Sequence, residues 1–309
     1  MRTLTKLALT ASLALAMALT FSCSGDGDDN PPPAAVISSS SGGGGSSSSG
    51  VSSSGGGSSS SVSSSSYVCE SWTEEVTTVP TCANKGVKTL TCASNPSDTK
   101  TEEIAKLEYD QVKYECRTGK IYLKGGLTDS RGGTDKTYDA VLIGTQTWMA
   151  ENLNYNASGS KCGDESTGTL KNENTSTCAT YGRLYNWYTA RDVCPPGWHL
   201  PNKDEWDALK SFIESDQSCS NCDAKHLKSP TLWNGGTGLD TYGFSALPGG
   251  YGGYSDGNFR RAGNEGFWWI ASESSRYDAF LQYMDCSYEY ASYFNNDKSF
   301  LFSVRCLKD

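Results

Sequence analysis

The chain has 309 residues, and its 26 Lys and Arg against 35 Asp and Glu give a net charge of −9. Without a Lys/Arg cluster, that balance argues against nucleic acid as a partner and against electrostatic adhesion to anionic lipids. Twelve cysteines would signify metal or redox chemistry in a cytosolic protein and disulfides in an exported one, so the N-terminus decides how they are read.

Arg2 and Lys6 form a positive n-region, and Leu7 to Phe21 is an apolar run too short for a comfortable transmembrane helix. Residues 1–22 therefore read as a signal peptide. The run ends in Leu19-Thr20-Phe21-Ser22-Cys23. A small residue directly before a cysteine resembles the lipobox of bacterial lipoproteins, in which that cysteine is lipidated and becomes the mature N-terminus. Thr20 departs from the Leu, Val or Ile usual at its position, and the alternative is a secreted protein cleaved nearby. The resemblance implies that Cys23 carries acyl chains that hold the protein to a membrane. Ser24 stands where an inner-membrane retention Asp could be, and Asp26, Asp28 and Asp29 follow. That resembles outer-membrane sorting, with display at the cell surface. With Cys23 set aside, eleven cysteines remain, so at least one thiol is expected to be free or paired with another chain.

Residues 23–66 read as a linker. After Pro31-Pro32-Pro33 the segment is almost entirely Ser and Gly, a composition that cannot bury apolar surface and is expected to stay disordered. Residues 31–66, taken as a Gly/Ser coil, would reach roughly 30–35 Å r.m.s., enough to lift a domain off a membrane. Residues 67–127 form a small module with Cys69, Cys82, Cys92 and Cys116, whose three possible connectivities stay open. Short β-prone stretches recur at Val76–Val79, Val87–Thr91 and Val112–Glu115. Thr118-Gly119-Lys120 then turns into Ile121-Tyr122-Leu123. So little core needs disulfide staples, and the spacing is unlike a zinc ribbon.

Residues 128–309 read as the main domain. A strand is expected over Tyr138–Ile143, then a turn at Gly144. A helix is expected over about Tyr181–Arg191, where Tyr181, Leu184, Tyr185 and Tyr188 share a face. Cys194-Pro195-Pro196-Gly197 breaks it. A second helix opens near Asn202, which has capping-box spacing to Glu205, and carries Trp206, Leu209, Phe212 and Ile213 as its apolar stripe. Strands are expected at Phe267–Ile270, Ala279–Tyr283 and Phe300–Cys306 after a long Gly/Tyr-rich loop region. The order is that of an α+β domain with two helices, short antiparallel strands and long loops.

These residues resemble the Fibrobacter succinogenes major paralogous domain family. The matching motifs run from Val141-Leu142-Ile143-Gly144-Thr145-Gln146-Thr147-Trp148-Met149-Ala150-Glu151-Asn152 through Cys194-Pro195-Pro196-Gly197-Trp198-His199-Leu200-Pro201 and Tyr242-Gly243-Phe244-Ser245-Ala246-Leu247-Pro248-Gly249-Gly250. They continue with Phe267-Trp268-Trp269 and Ser303-Val304-Arg305-Cys306. The family looks like a branch of the C-type lectin-like fold, with a likeness to the formylglycine-generating enzymes around Leu200 to Trp206. The resemblance implies a disulfide between Cys194 and Cys306. Cys162 with Cys178 would staple the insertion before the first helix, and Cys219 with Cys222 would form a local loop disulfide. The alternative for this C-x-x-C is a redox pair or half a metal knuckle. Cys286 is then the odd thiol.

No catalytic residue is assigned. His199 and His226 read as isolated structural histidines. No pair of carboxylates can be singled out as glycosidase acid and base. An oxidase of the formylglycine-generating kind would need a reactive cysteine pair near the end of the domain, where Cys286 and Cys306 are the only late cysteines and Cys306 is better used as a staple. The loop surface is the better candidate: Asp240, Tyr242, Tyr251, Tyr254, Asp256, Asn258, Arg260 and Arg261 lie among glycines. Rings stack on apolar sugar faces, and amides and carboxylates hydrogen-bond hydroxyls. Packing of the same tyrosines into the core is the competing reading. Glu273 with Asn295, Asn296 and Asp297 partly echoes a lectin Ca²⁺ site, although a polar turn into a strand explains the triplet equally. No other cofactor is expected. The expectation is a non-enzymatic binding domain for polysaccharide or another cell-surface ligand, membrane-held through its lipid. A structural or protein-interaction module of the envelope is the alternative.

Overall fold

The computed structural model describes residues 69–309 except Val79, Thr237 and Tyr254. The expected signal peptide, Cys23, the Ser/Gly linker and the candidate ligand residue Tyr254 lie outside the described residues. Strands β1 (Trp72–Thr78), β2 (Gly86–Cys92) and β3 (Asn95–Ile104) form an antiparallel sheet in that order. Its apolar burial is confined to Cys82, Leu90 and Cys92. Two staples make up for the missing core: Cys69–Cys92 and Cys82–Cys116, one of the three connectivities. The polar β3 pairs along the length of β2, where Lys88 bridges Glu74 on one neighbour and Glu102 on the other.

Strands β4 (Tyr114–Arg117) and β5 (Lys120–Leu123) meet at a two-residue turn in which Thr118 and Gly119 both take positive φ, 49° and 85°. Read by sequence as the end of the small module, this hairpin joins the main domain's sheet through Tyr122 and Val141. After a small hairpin of β6 (Leu127–Asp129) and β7 (Lys136–Tyr138) come β8 (Ala140–Ile143) and β9 (Gln146–Met149). Gly144 turns the β8–β9 hairpin at φ 59°, and a Cβ there would stand 2.9 Å from the Phe212 ring.

The insertion that follows carries β10 (Cys162–Asp164) and β11 (Thr169–Lys171), tied by Cys162–Cys178 to α1 (Ser176–Tyr181). The expected helix over 181–191 is not one helix. Helix α1 ends at Gly182, whose φ is 80° and whose Cβ would meet Asn152 at 2.9 Å. Leu184 and Tyr185 then hydrogen-bond as extended backbone to Lys161 and Phe302. Only α2 (Trp187–Ala190) resumes the helical turn. Partners on both sides thus outcompete a local helical pattern.

Strand β12 (Trp198–His199) leads to α3 (Lys203–Asp216), which starts on the expected capping box of Asn202 and Glu205 and buries Trp206, Leu209 and Ile213. Helix α4 (Asp223–Leu227) follows. A five-stranded sheet is built from β13 (Gly249–Gly252), β14 (Phe259–Ala262), β15 (Glu265–Glu273), β16 (Asp278–Asp285) and β17 (Ser292–Asp297), in the order β14-β13-β15-β16-β17. Strand alternation sends Trp268, Ile270 and Met284 into a core with Trp148, Trp206 and Phe244. Trp269 and Leu281 point the other way, into a second core with Tyr185, Trp187 and Phe302.

The expected strand over Phe300–Cys306 is an extended connector. Leu301 bridges Gly252, Phe302 bridges Tyr185, and Ser303 bridges Trp268. It ends in β18 (Leu307–Lys308), which lies between β12 and β9 in a six-stranded sheet of order β12-β18-β9-β8-β5-β4. Cys194–Cys306 locks it there, across a separation of 112 residues. Cys219–Cys222 is also paired. Cys286 is not the odd thiol it was expected to be: it is disulfide-bonded, and no described cysteine is free. Among the described residues, no helix is long and apolar enough to cross a membrane.

Candidate functional site

The strand register brings a row of aromatic rings across the five-stranded sheet. Phe267 on β15 lies opposite Tyr283 on β16, with ring centroids 5.1 Å apart. Tyr251 on β13 meets Phe267 at 5.4 Å, and Phe294 on β17 meets Tyr283 at 5.0 Å. Phe300 closes the row beside Tyr251 at 6.3 Å. All five are half-buried, while Trp269 and Phe302 beneath them are buried. Each ring is partly covered by the core and partly exposed, which leaves apolar surface of Phe267, Tyr283 and Phe294 for a partner.

One end of the row is acidic. Glu265 and Asp285 are directly opposed on β15 and β16. The Tyr283 hydroxyl donates to Asp285 at 2.9 Å and also faces Glu265. Burial raises the Glu265 carboxyl above its usual range, and the Asp285 charge adds to that, while Arg261, 4.0 Å away, opposes it. Burial, then the two carboxylates, push the Tyr283 hydroxyl well up, so it stays a neutral donor. The result is an aromatic strip with hydrogen-bonding groups of both kinds at one end.

The candidate loop residues divide between two places. Tyr251 is part of the strip, and Arg261 borders it through Glu265. Asp256, Asn258 and Arg260 bond one another: Arg260 donates to Asp256 at 2.7 Å, and the Asn258 backbone and amide N–H groups donate at 2.9 and 3.0 Å. The Arg260 guanidinium, then the Asn258 N–H, hold the Asp256 carboxyl down at about 2. These three shape the β13–β14 loop. Asp240 and Tyr242 lie apart from it. Buried Asp240, at φ 46°, accepts from Lys120 at 2.6 Å and from the Ser245 N–H and hydroxyl. Tyr242 packs on Phe212 and bonds Asp216. Both are engaged by partners within the fold. The loop composition pointed toward Tyr251 and missed Phe267, Tyr283, Phe294, Glu265 and Asp285. Their only sequence signal was the two-residue spacing of 265/267 and 283/285.

The expected calcium set is arranged otherwise. Asn295, Asn296 and Asp297 lie within β17, paired with Phe280, Ala279 and Asp278. Glu273 lies 3.0 Å from the buried Lys298 ammonium, which also donates to the Ser275 and Arg276 carbonyls at 3.1 Å and sits over the Trp187 ring. The Glu273 carboxylate is thus engaged by the Lys298 ammonium.

Away from the strip, His199 is held between two carboxylates, with Nδ1 2.6 Å from Asp309 and Nε2 2.9 Å from Glu205. Partial burial lowers its pKa, but the hydrogen bonds to Asp309 and Glu205 outweigh that, and the net direction is up. A raised folded-state pKa contributes stability that is complete below the unfolded value of about 6.5 and fades as pH rises through the folded value. The thermal midpoint of His199→Gln should accordingly lie below wild type at pH 5.5, with the gap narrowing toward pH 9. The ring is partly exposed, so the gap is small; a gap that widens with pH would refute the assignment.

Cys219, Cys222 and His226 also come together, with one donor atom of each within 4.8 Å of the others. His226, isolated in the sequence from any other histidine, thus has two sulfur neighbours in the fold. Residues 141–308 match the family model described as the Fibrobacter succinogenes major domain. No curated protein and no solved structure matches the chain.

Proposed function

The chain belongs to the Fibrobacter succinogenes major domain family, and from that premise we propose that it is an outer-membrane lipoprotein displaying a non-enzymatic binding domain for carbohydrate or another cell-surface component. The observation that carries this reading is the half-buried row of Tyr251, Phe267, Tyr283 and Phe294 ending at Glu265 and Asp285. Ring centroids stand 5.0–5.4 Å apart with neighbouring planes inclined at 48–77°, so the strip offers alternating ring faces and edges against which sugar C–H faces can pack, and the carboxylates accept from hydroxyls. We read the α+β architecture as C-type lectin-like. The Cys194–Cys306 link between the region after the first helices and the last extended segment supports this. In place of calcium coordination, binding rests on ring stacking and carboxylates. Lipidation of Cys23 and the Ser/Gly linker would set the strip away from the membrane.

The test uses the full mature chain, because a fragment starting at residue 128 would strip β4 and β5 from the main sheet. Binding to a panel of soluble glycans and insoluble polysaccharides is expected to be saturable for one class and unchanged by EDTA. Tyr251→Ala and Phe294→Ala should each weaken it roughly tenfold. Cells carrying the chain should adhere to that polysaccharide, and cells carrying Cys23→Ser should not, although the released protein still binds. A blank panel from folded protein, or full affinity in both ring variants, would sink the proposal and leave a protein partner as the reading.

A further inference from the structure

The disulfide of Cys219 and Cys222 spans three residues at the start of α4. Cys222 is the residue before that helix, and His226 lies four positions on, so the two share a helix face. The preceding loop returns Cys219 to the same point, with Ser218 and Asn221 at φ 50° and 55°. Glu214 fixes that loop: its carbonyl accepts from the Cys219 N–H at 3.0 Å and its carboxylate from the Asn221 N–H at 2.8 Å. One donor atom from each of Cys219, Cys222 and His226 falls within 4.8 Å of the others, a separation compatible with ligands around one ion.

The histidine is oriented from behind. Its Nδ1 lies 2.7 Å from the Thr241 hydroxyl, and the Thr241 N–H donates to the His226 carbonyl at 2.9 Å. A ring tied at Nδ1 presents Nε2 to a ligand, the arrangement that outer-shell partners impose on metal-binding histidines. We propose that Cys219–Cys222 is a reducible pair, and that its dithiol form together with His226 binds one soft or borderline cation of the Zn²⁺ or Cu⁺ class.

The surrounding fold does not depend on this disulfide. Helix α4 is held by the Lys225 N–H donating to Glu289 at 2.9 Å, by the Leu239 N–H donating to Lys225 at 2.8 Å, and by Leu227 in the core. The disulfide closes the shortest loop of the five described pairs, and so restricts the unfolded chain least. A small-molecule dithiol supplies two electrons and two protons and is itself oxidised to its disulfide, while the protein's S–S bond becomes two thiols. Binding of the cation then releases those two protons as the thiolates coordinate. Three protein donors leave a fourth position open to water. Thiolate and imidazole select such cations over Ca²⁺ and Mg²⁺.

The experiment treats the full mature chain with limiting dithiothreitol under argon, maps the opened disulfide by differential alkylation and mass spectrometry, and titrates Zn²⁺ against a chromophoric chelator. Cys219 and Cys222 should open first, with the circular dichroism unchanged. The reduced chain should take up one Zn²⁺ and the oxidised chain none. Co²⁺ in place of zinc should give thiolate charge-transfer absorption in the near ultraviolet. His226→Gln, which keeps both cysteines, should weaken zinc binding tenfold or more, and Cys219→Ser/Cys222→Ser should abolish it. Earlier opening of Cys194–Cys306, no uptake after selective reduction, undiminished uptake by the double variant, or wild-type affinity in His226→Gln would each overturn the assignment.

Discussion

Arg305→Met should cost at least about 3 kcal/mol and lower the thermal midpoint by roughly 6–12 °C. The Arg305 side chain is wholly buried, and burial pulls its pKa down to about 9. Its guanidinium donates to the Asn152 carbonyl oxygen from Nη2 at 2.8 Å and from Nε at 3.2 Å. It also serves the backbone carbonyls of Met149, Phe244 and Ser245. Methionine fills much of the volume but donates nothing, so three backbone acceptors lose a donor in a place water cannot reach. Asn152 would keep its bond from the Trp268 indole at 2.8 Å, so the loss falls on the carbonyls of Met149 at the end of β9 and of Phe244 and Ser245. Arg305→Lys should recover only part of the stability, because one ammonium cannot span the acceptors that a planar fork reaches. Removing an exposed cation such as Lys113 should change stability by less than about 0.5 kcal/mol. A midpoint shift in Arg305→Met as small as that control would show that the network is dispensable.

The second large effect is expected at Cys194–Cys306. In the chain-entropy model, a link across 112 residues contributes about 4–5 kcal/mol, whereas one across three residues contributes about 2. Replacing both Cys194 and Cys306 by Ser should therefore lower the denaturant midpoint far more than the same change at Cys219 and Cys222. The long link also pins the connector between the two cores, so its loss should expose Trp148 and Trp269 and quench tryptophan fluorescence. Equal midpoints for the two double variants would contradict this account.

What could be read from the sequence was what is local. Asn202 and Glu205 announce their helix because capping is settled within one turn. The strands around Val87, Trp268 and Phe280 were visible in their β-branched and aromatic residues. The pairing of Cys194 with Cys306 came from family resemblance, since spacing alone cannot choose among partners. The expected helix at 181–191 failed because Leu184 and Tyr185 find extended partners from distant parts of the chain. Strand β3 was missed because its residues are polar and only its neighbour makes it a strand.

The aromatic row was hidden for a related reason. Phe267, Tyr283 and Phe294 become neighbours through register, a property of three strands at once. The buried cations were equally invisible: Arg183, Lys228, Lys298 and Arg305 look like surface residues in a sequence. Each donates to backbone carbonyl groups of irregular segments. A loop-rich domain has many such acceptors without ladder partners, and long cationic side chains can satisfy several at a time.

The connector over residues 301–308 has a consequence for the timing of folding. It supplies backbone partners to Tyr185, Gly252, Trp268 and Trp148, which lie in four separate segments of the chain, of which β13 and β15 also pair with each other through Gly250 and Gly266. It also emerges during synthesis only after all of them. Helix α3 and the β15–β16–β17 meander can form from local contacts as they appear, but the two cores cannot close until this last piece is threaded between them. The nascent domain therefore remains open until residues 301–308 are available, and the Cys194–Cys306 lock can close only once they have docked.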